Sequence, residues 1–387
     1  MKKFIPKIYI HIIAAILLVP TVSFSATLYV GESQTYSTIQ SAVDAANDDD
    51  EIIVKFGKYV ENIAINKSVS IRSESGYAST TIVMNSSANN IFYVTADKVR
   101  IEGFSLYRTN DSYDDAIYLY QADQCIIMNN LCGFDDNHKN SCGIILSNSH
   151  KNTIINNMCM YNSTGILLDK STSNIISKNR LMHNIRHGLY LRDSKNNLIT
   201  QNTMEHNNEY GLYLYGNSSQ NQIYHNSFVE NQIDSVKSNN LNQNLWNSPT
   251  TLIYSYAGNK YKSYLGNYYS DHKPFGTTEN GISDHIYKYP YVEPCDEFPL
   301  LQHHDQYITQ TQMMYPGDNL QLSSHIQLSE IHIGRSRSLM WTESIPAQTE
   351  TAYSDYDVWK GQIHLKQSLS SNSILKIEIN WHFKQSV

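Results

Sequence analysis

The chain has 387 residues, a formal net charge of −7, 41% hydrophobic residues and only 17% charged ones. That apolar fraction excludes wholesale disorder, and the acidic balance excludes a general nucleic-acid binder, which needs a basic footprint to release counterions. The anomaly is asparagine: there are 39, of which 26 fall between Asn129 and Asn247. Neither helices nor ordinary strands favour this residue, so a special architecture has to hold it.

Lys2, Lys3 and Lys7 precede an apolar run over residues 8–19 that only His11 interrupts, and Ser23-Phe24-Ser25 supplies a small-x-small site. The pattern predicts a secretory signal peptide over residues 1–25, cleaved before Ala26. The run is too short to span a bilayer comfortably, and no later segment is long and apolar enough. The mature chain is therefore expected to be periplasmic or secreted, with no transmembrane segment. Five cysteines are present, Cys125, Cys132, Cys142, Cys159 and Cys295. An odd number leaves at least one thiol unpaired or intermolecular, and the absence of Cys-x-x-Cys argues against a zinc ribbon.

From Thr38 to Ala46 the apolar residues Ile39, Ala42, Val43 and Ala46 keep helical spacing. Short apolar segments follow at residues 52–54, 63–65, 69–71, 82–83, 91–94 and 99–106. A repeat of about 23 residues then takes over. Gly143-Ile144-Ile145-Leu146 leads to Asn152, Asn157 and Asn162, and Gly165-Ile166-Leu167-Leu168 leads to Asn174, Asn179 and Asn184. Gly188-Leu189-Tyr190-Leu191 leads to Asn197, Asn202 and Asn207, and Gly211-Leu212-Tyr213-Leu214 leads to Asn221, Asn226 and Asn231. The three Asn columns advance together by 22, 23 and 24 residues. One earlier turn, with Ile117, Ile127 and Asn130, stands 27 residues ahead of its successor. Its extra residues form a polar loop around 136–141.

Each short apolar pair alternates with polar residues, the period of a strand. The unit is too short for ankyrin or tetratricopeptide repeats, and leucine-rich repeats carry Asn once, not three times. The fold class expected is all-β: a right-handed, single-stranded parallel β-helix of the pectate-lyase type. Inward Asn157, Asn179, Asn202 and Asn226 would form a structural ladder at one corner, satisfying backbone groups that a buried corner otherwise orphans. Cys132 and Cys159 fall in one inward column, where a disulfide and two buried thiols both fit.

The segment 38–46 is expected to cap the open first turn, because a β-helix leaves exposed strands at both ends. After Asn247 an aromatic stretch (Tyr254, Tyr256, Tyr261, Tyr264, Tyr268, Tyr269) precedes a linker marked by Pro290, Pro294 and Pro299. Beyond it Asn nearly vanishes, and Leu375, Ile377, Ile379, Trp381 and Phe383 alternate with polar residues. The expected division is a β-helix over 26–300 and a small C-terminal β-sandwich over 301–387.

These residues resemble a known family. The repeat is similar to the periplasmic copper-binding NosD-like β-helix proteins and to the wider carbohydrate-binding and sugar-hydrolase β-helix group. The entry (Thr38 to Ala46, then Gly57-Lys58-Tyr59-Val60-Glu61-Asn62-Ile63) resembles the family's own. Gly266-Asn267-Tyr268-Tyr269-Ser270-Asp271-His272 resembles its G-N-Y-W-S-D-Y exit motif, and Asp296-Glu297-Phe298-Pro299-Leu300 its D-x-Y-P-L closure. Tyr269 stands where the family has Trp, and His272 where it has Tyr. The resemblance implies a parallel β-helix and a role in supplying copper to a respiratory enzyme. If the run between exit and closure binds calcium in relatives, this chain retains few oxygen ligands there, in Glu279 to Asp284. Copper is therefore the better-supported cofactor and calcium the weaker.

Three sites are readable. Counting from each Gly, Tyr118, Ile145, Leu167, Tyr190 and Tyr213 fall in one outward column, and Tyr120, Ser147, Asp169, Arg192 and Tyr215 in the next. Exposed rings beside a few charges suit sugars, making Tyr118, Tyr120, Asp169, Tyr190, Arg192, Tyr213 and Tyr215 sugar-binding candidates. Met160 and Met182 stack in one column, and His183 and His206 in its neighbour, a thioether and imidazole set that suits copper. Asp169, His187 and Arg192 could converge for catalysis, but the sequence lacks the motifs of alginate epimerases and polygalacturonases. The expectation is a non-catalytic exported scaffold that binds polysaccharide or a cell-envelope component. A copper-delivery accessory, with a copper-dependent enzyme or transporter as partner, is the first rival. A polysaccharide lyase, epimerase or hydrolase is the second.

Overall fold

A computed structural model describes residues 25–84, 90–108, 114–133, 140–238, 244–272, 278–288 and 296–309, with four short strand fragments beyond them. The expected signal peptide, apart from Ser25, and most of the expected sandwich lie outside these residues. No helix among the described residues is long and apolar enough to cross a membrane.

The chain winds into a parallel β-helix of three sheets with nine, nine and eight strands, each strand pairing with the one a full turn away. In the first sheet the inward position is isoleucine turn after turn: Ile52, Ile71, Ile101, Ile127, Ile154, Ile176, Ile199 and Ile223 are in register. β-branched side chains of one shape stack at the strand spacing of about 4.8 Å without leaving voids. The second sheet contributes Ile82, Leu106, Cys132, Cys159, Leu181, Met204 and Phe228. The third contributes Ile117, Ile144, Ile166, Leu189 and Leu212. All of these are buried in a single core. Cys132 and Cys159 face each other across adjacent turns as free, buried thiols.

The corners explain the asparagines. From Asn130 to Asn231 each ladder Asn follows a residue with positive φ, such as Lys178 (56°) before Asn179 or Gln201 (58°) before Asn202. That left-handed residue turns the chain and points the next side chain inward. The Asn179 backbone N–H and Nδ2 both donate to Asn202 Oδ1, at 2.9 and 3.0 Å, and Nδ2 also donates to the Ile154 carbonyl at 2.8 Å. The same arrangement repeats through Asn130, Asn157, Asn179, Asn202 and Asn226. Parallel ladders run through Asn152, Asn174, Asn197, Asn221 and Asn244, and through Asn162, Asn184, Asn207 and Asn231. The repeat glycines answer a different need. A Cβ on Gly165 would stand 2.5 Å from the Gly188 carbonyl oxygen, so a side chain there would force the turns apart.

The helix expected over 38–46 is present as Ile39–Ala45, with Ile39, Ala42 and Val43 buried over the first turn. Thr38 caps it by accepting from Ser41 N–H. Glu61 accepts from the first helical amides, Ile39 and Gln40, at 2.9 and 3.0 Å. Lys67 Nζ donates to the carbonyls of Val43, Asp44 and Ala46 at the other end. At the far end of the coil, Leu252–Tyr256 and Asn259–Ser263 form an antiparallel hairpin to which Ile308–Thr309 adds a third strand. Tyr254, Leu265, Ile282, Leu300 and Tyr307 make a second small core there.

Candidate functional site

The outward face of the third sheet carries the tyrosines. Strand pairing places Ala64, Tyr93, Tyr118, Ile145, Leu167, Tyr190, Tyr213 and Lys237 in one row. Tyr120, Ser147, Asp169, Arg192 and Tyr215 form the row beside it. Both columns counted from the glycines are therefore real. Tyr93 escapes the column count because its turn keeps the strand alternation but carries no ladder Asn. The rings of the main row are half-buried, whereas Tyr120 and Tyr215 are exposed.

The rings divide into two groups separated by Ile145 and Leu167. Tyr93, Tyr118 and Tyr120 meet at tilted or edge angles, with centroids 5.7 and 6.2 Å apart. Tyr190 and Tyr213 stack at 4.9 Å with planes 15° apart. Each of these two rings covers part of its neighbour, so ring edges and hydroxyls take up much of the outward surface. Arg192 Nε donates to Asp169 Oδ1 at 2.8 Å, placing a closed ion pair beside the row.

His187 does not join that pair. It lies at the opposite end of the strand His187–Arg192, five residues and roughly 16 Å from Arg192. The suggested convergence of Asp169, His187 and Arg192 is not formed. Instead the imidazole is enclosed by Tyr190, Tyr210 and Tyr213, with centroids 5.4, 5.6 and 4.9 Å away. Burial pushes its pKa down to about 4, against the opposing pull of the Glu209 carboxylate. Strict alternation would give His187 the inward parity of Leu189 and Leu191, yet its ring lies among outward tyrosines. Its enclosure depends on Tyr210 and Tyr213 in the following turn, and only the three-dimensional register reveals that.

Copper requires convergent thioether, thiolate or imidazole donors. Met160 and Met182 are in register, and Glu205 continues their column. Tyr161, His183 and His206 occupy left-handed corner positions, where His is among the tolerated residues. The His183 and His206 rings stack at 5.2 Å with planes 8° apart, and Tyr161 stacks on His183 at 5.4 Å. Imidazole nitrogens donate in the ring plane, so face-stacked rings send their lone pairs side by side rather than to one centre. Among the described residues, no group of three or more His, Cys, Asp or Glu side chains is placed to hold a metal ion. The described residues thus do not fit a preformed copper centre.

One cluster escaped the sequence reading. His304 Nδ1 and Ser227 Oγ lie 2.8 Å apart, and His225 Nε2 lies 3.0 Å from the His304 carbonyl. These contacts pin residues 301–309 against the coil. Nothing in the repeat signals them, because the partners are 77 and 79 positions apart.

Over 100 residues the chain is 35% identical to a cell surface glycoprotein of Methanothermus fervidus, a match covering 25% of this chain and 16% of that protein. The chain thus spans only a small part of that relative. Among solved structures, pectate lyase Pel9A superposes with a TM-score of 0.44 at 17% identity, over 58% of this chain and 71% of that one. The Dettilon tailspike protein superposes with a TM-score of 0.43 at 12% identity, over 49% and 40%. The family described as periplasmic copper-binding protein (NosD) matches residues 43–274, more than half of the chain, and the chain belongs to that family.

Proposed function

We propose that the protein is an exported, non-catalytic β-helix scaffold that binds polysaccharide along the outward tyrosine row of its third sheet. One observation carries the reading. Tyr93, Tyr118, Tyr190 and Tyr213 share a single register row on a rigid sheet, flanked by Tyr120, Tyr215 and the Asp169–Arg192 pair. Phenol rings and hydroxyls presented at strand spacing give an extended ligand both apolar contact and hydrogen bonds. A linear polymer is the ligand whose shape matches a row rather than a pocket.

The test is retention of the purified mature chain on insoluble polysaccharides, with assay of the supernatant for released fragments. Retention without products, lost in Tyr118→Ala/Tyr190→Ala/Tyr213→Ala, is expected. Released oligosaccharides would assign a catalytic role instead. Unchanged retention in the triple variant would remove the tyrosine row from the account.

A further inference from the structure

His187 presents an unsolved polar problem at the centre of the stacked tyrosines. Its side chain is 1% exposed, yet neither Nδ1 nor Nε2 has a hydrogen-bond partner. The groups around it are chiefly rings: Tyr190 edge-on, Tyr210 nearly parallel and Tyr213 tilted. The nearest carboxylate oxygen, Glu209 Oε2, stands 3.6 Å from Nε2. The other oxygen of Glu209 accepts from Arg186 Nε at 3.2 Å. Buried polar atoms in folded proteins are nearly always satisfied, and an exception calls for a specific explanation.

We infer that His187 is the polar floor of a sugar subsite, at which Tyr190 and Tyr213 swing aside and a neutral sugar ring brings hydroxyls to the two imidazole nitrogens. This rests on the polysaccharide reading of the tyrosine row and names the point on that row where the ligand is recognised. A neutral imidazole offers one donor and one acceptor, which matches a hydroxyl that both donates and accepts. Tyr190 and Tyr213 stand half-buried on the outer face of the sheet, so a rotamer change at either carries its ring toward solvent rather than into the core. The charges favour a neutral sugar over a uronate. Glu209 would repel a carboxylate at this point. Arg186, next to His187 in the chain, is already paired with Glu209, and Arg192, farther along the strand, with Asp169. Lys237, one rung beyond Tyr213, acts on Asp234.

The experiment titrates soluble cellohexaose, mannohexaose and hexagalacturonate into the full mature chain and its variants by calorimetry. Wild type is expected to bind a neutral hexasaccharide more tightly than the uronate. His187→Phe, which keeps the ring volume and loses both polar atoms, should weaken binding roughly tenfold. His187→Gln, which keeps a donor and an acceptor, should stay within about threefold. If His187→Phe binds like wild type while Tyr190→Ala/Tyr213→Ala loses binding, the row stands and this subsite is wrong. If no hexasaccharide binds, both readings fall. Should His187→Phe fail to fold, the ring 15N resonances of wild-type His187 decide. They should move on saturation with the neutral hexasaccharide, and stationary resonances would overturn the inference.

Discussion

The backbone N–H of Asn267 donates to Oδ2 of Asp296 at 2.6 Å, and this contact closes the central asparagine ladder. Asn267 itself accepts from Asn226 N–H and Nδ2 at 3.1 and 2.9 Å, as the last rung. An asparagine in the exit motif and an aspartate in the closing motif, 29 residues apart, thus finish one continuous hydrogen-bonded column. Gly266 is required beside them, because a Cβ there would lie 2.0 Å from Asp296 Oδ1.

Burial pushes the Asp296 pKa up to about 7, against backbone donors from Asn267 and Phe298 that favour the carboxylate. The native state therefore holds a proton that the unfolded chain releases near pH 4. Between about pH 4 and 7 the folded form binds more protons, so this group's contribution to stability falls as pH rises. A shift of that size corresponds to roughly 4 kcal/mol. Asp296→Asn, a neutral mimic of the acid, should remove the decline. Thermal melts between pH 4 and 7.5 that keep the same slope in the variant would show that Asp296 does not titrate this way.

Within the ladder, Asn202→Leu should cost about 3 kcal/mol or more. The substitution removes donors to the Ile176 and Thr200 carbonyls and to Asn226 Oδ1. It also strands the N–H and Nδ2 of Asn179, which both donate to Asn202 Oδ1. Each unmet buried group costs about 1–3 kcal/mol. Lys195→Ala, on the outside of the same coil, should stay within about 0.5 kcal/mol. Comparable losses in chemical denaturation would contradict the ladder's role.

The ladders and inward columns were legible because a β-helix writes one residue per rung. Counting from Gly143, Gly165, Gly188 and Gly211 gives the register directly, and the Asn columns mark the corners. The exceptions all depend on more than one turn. Tyr93 lies in a turn that carries no ladder Asn. Asp296 meets Asn267 across a separation of 29 residues that follows no repeat spacing. The stacking of His183 on His206 follows from their shared corner conformation, which a one-dimensional column does not specify. The candidate copper residues were thus neighbours as expected, but their rings meet face to face.

That stacking bears on copper directly. Parallel imidazoles 5.2 Å apart cannot both present in-plane lone pairs to one ion without leaving the stack. His183→Ala/His206→Ala should therefore retain the same amount of copper as wild type after loading and dialysis, measured by elemental analysis. A loss of one equivalent in the double variant would show that the rings rearrange to bind the metal.

The histidine contacts that pin residues 301–309 should make the fold sensitive to acid, with the opposite sign to Asp296. Burial pushes His225 down to about 4 and His304 to about 3, and neighbouring His303 adds to the effect at His304 while Asp305 opposes it at both. The unfolded chain takes up these protons near pH 6.5. The stabilisation is therefore complete above that pH and is lost as pH falls towards 4, by roughly 3 kcal/mol for His225 alone. In wild type the rising contributions of His225 and His304 work against the falling Asp296 contribution between pH 4 and 7. Relative to wild type, Asp296→Asn should gain stability more steeply from pH 4 to 7. His225→Gln, which keeps a donor for the His304 carbonyl, should gain it less steeply, because only His304 then opposes Asp296. Hydrogen exchange at residues 301–309 should quicken on acidification in wild type ahead of the coil. If coil and segment open together, the histidines do not act as a separate acid-sensitive clasp.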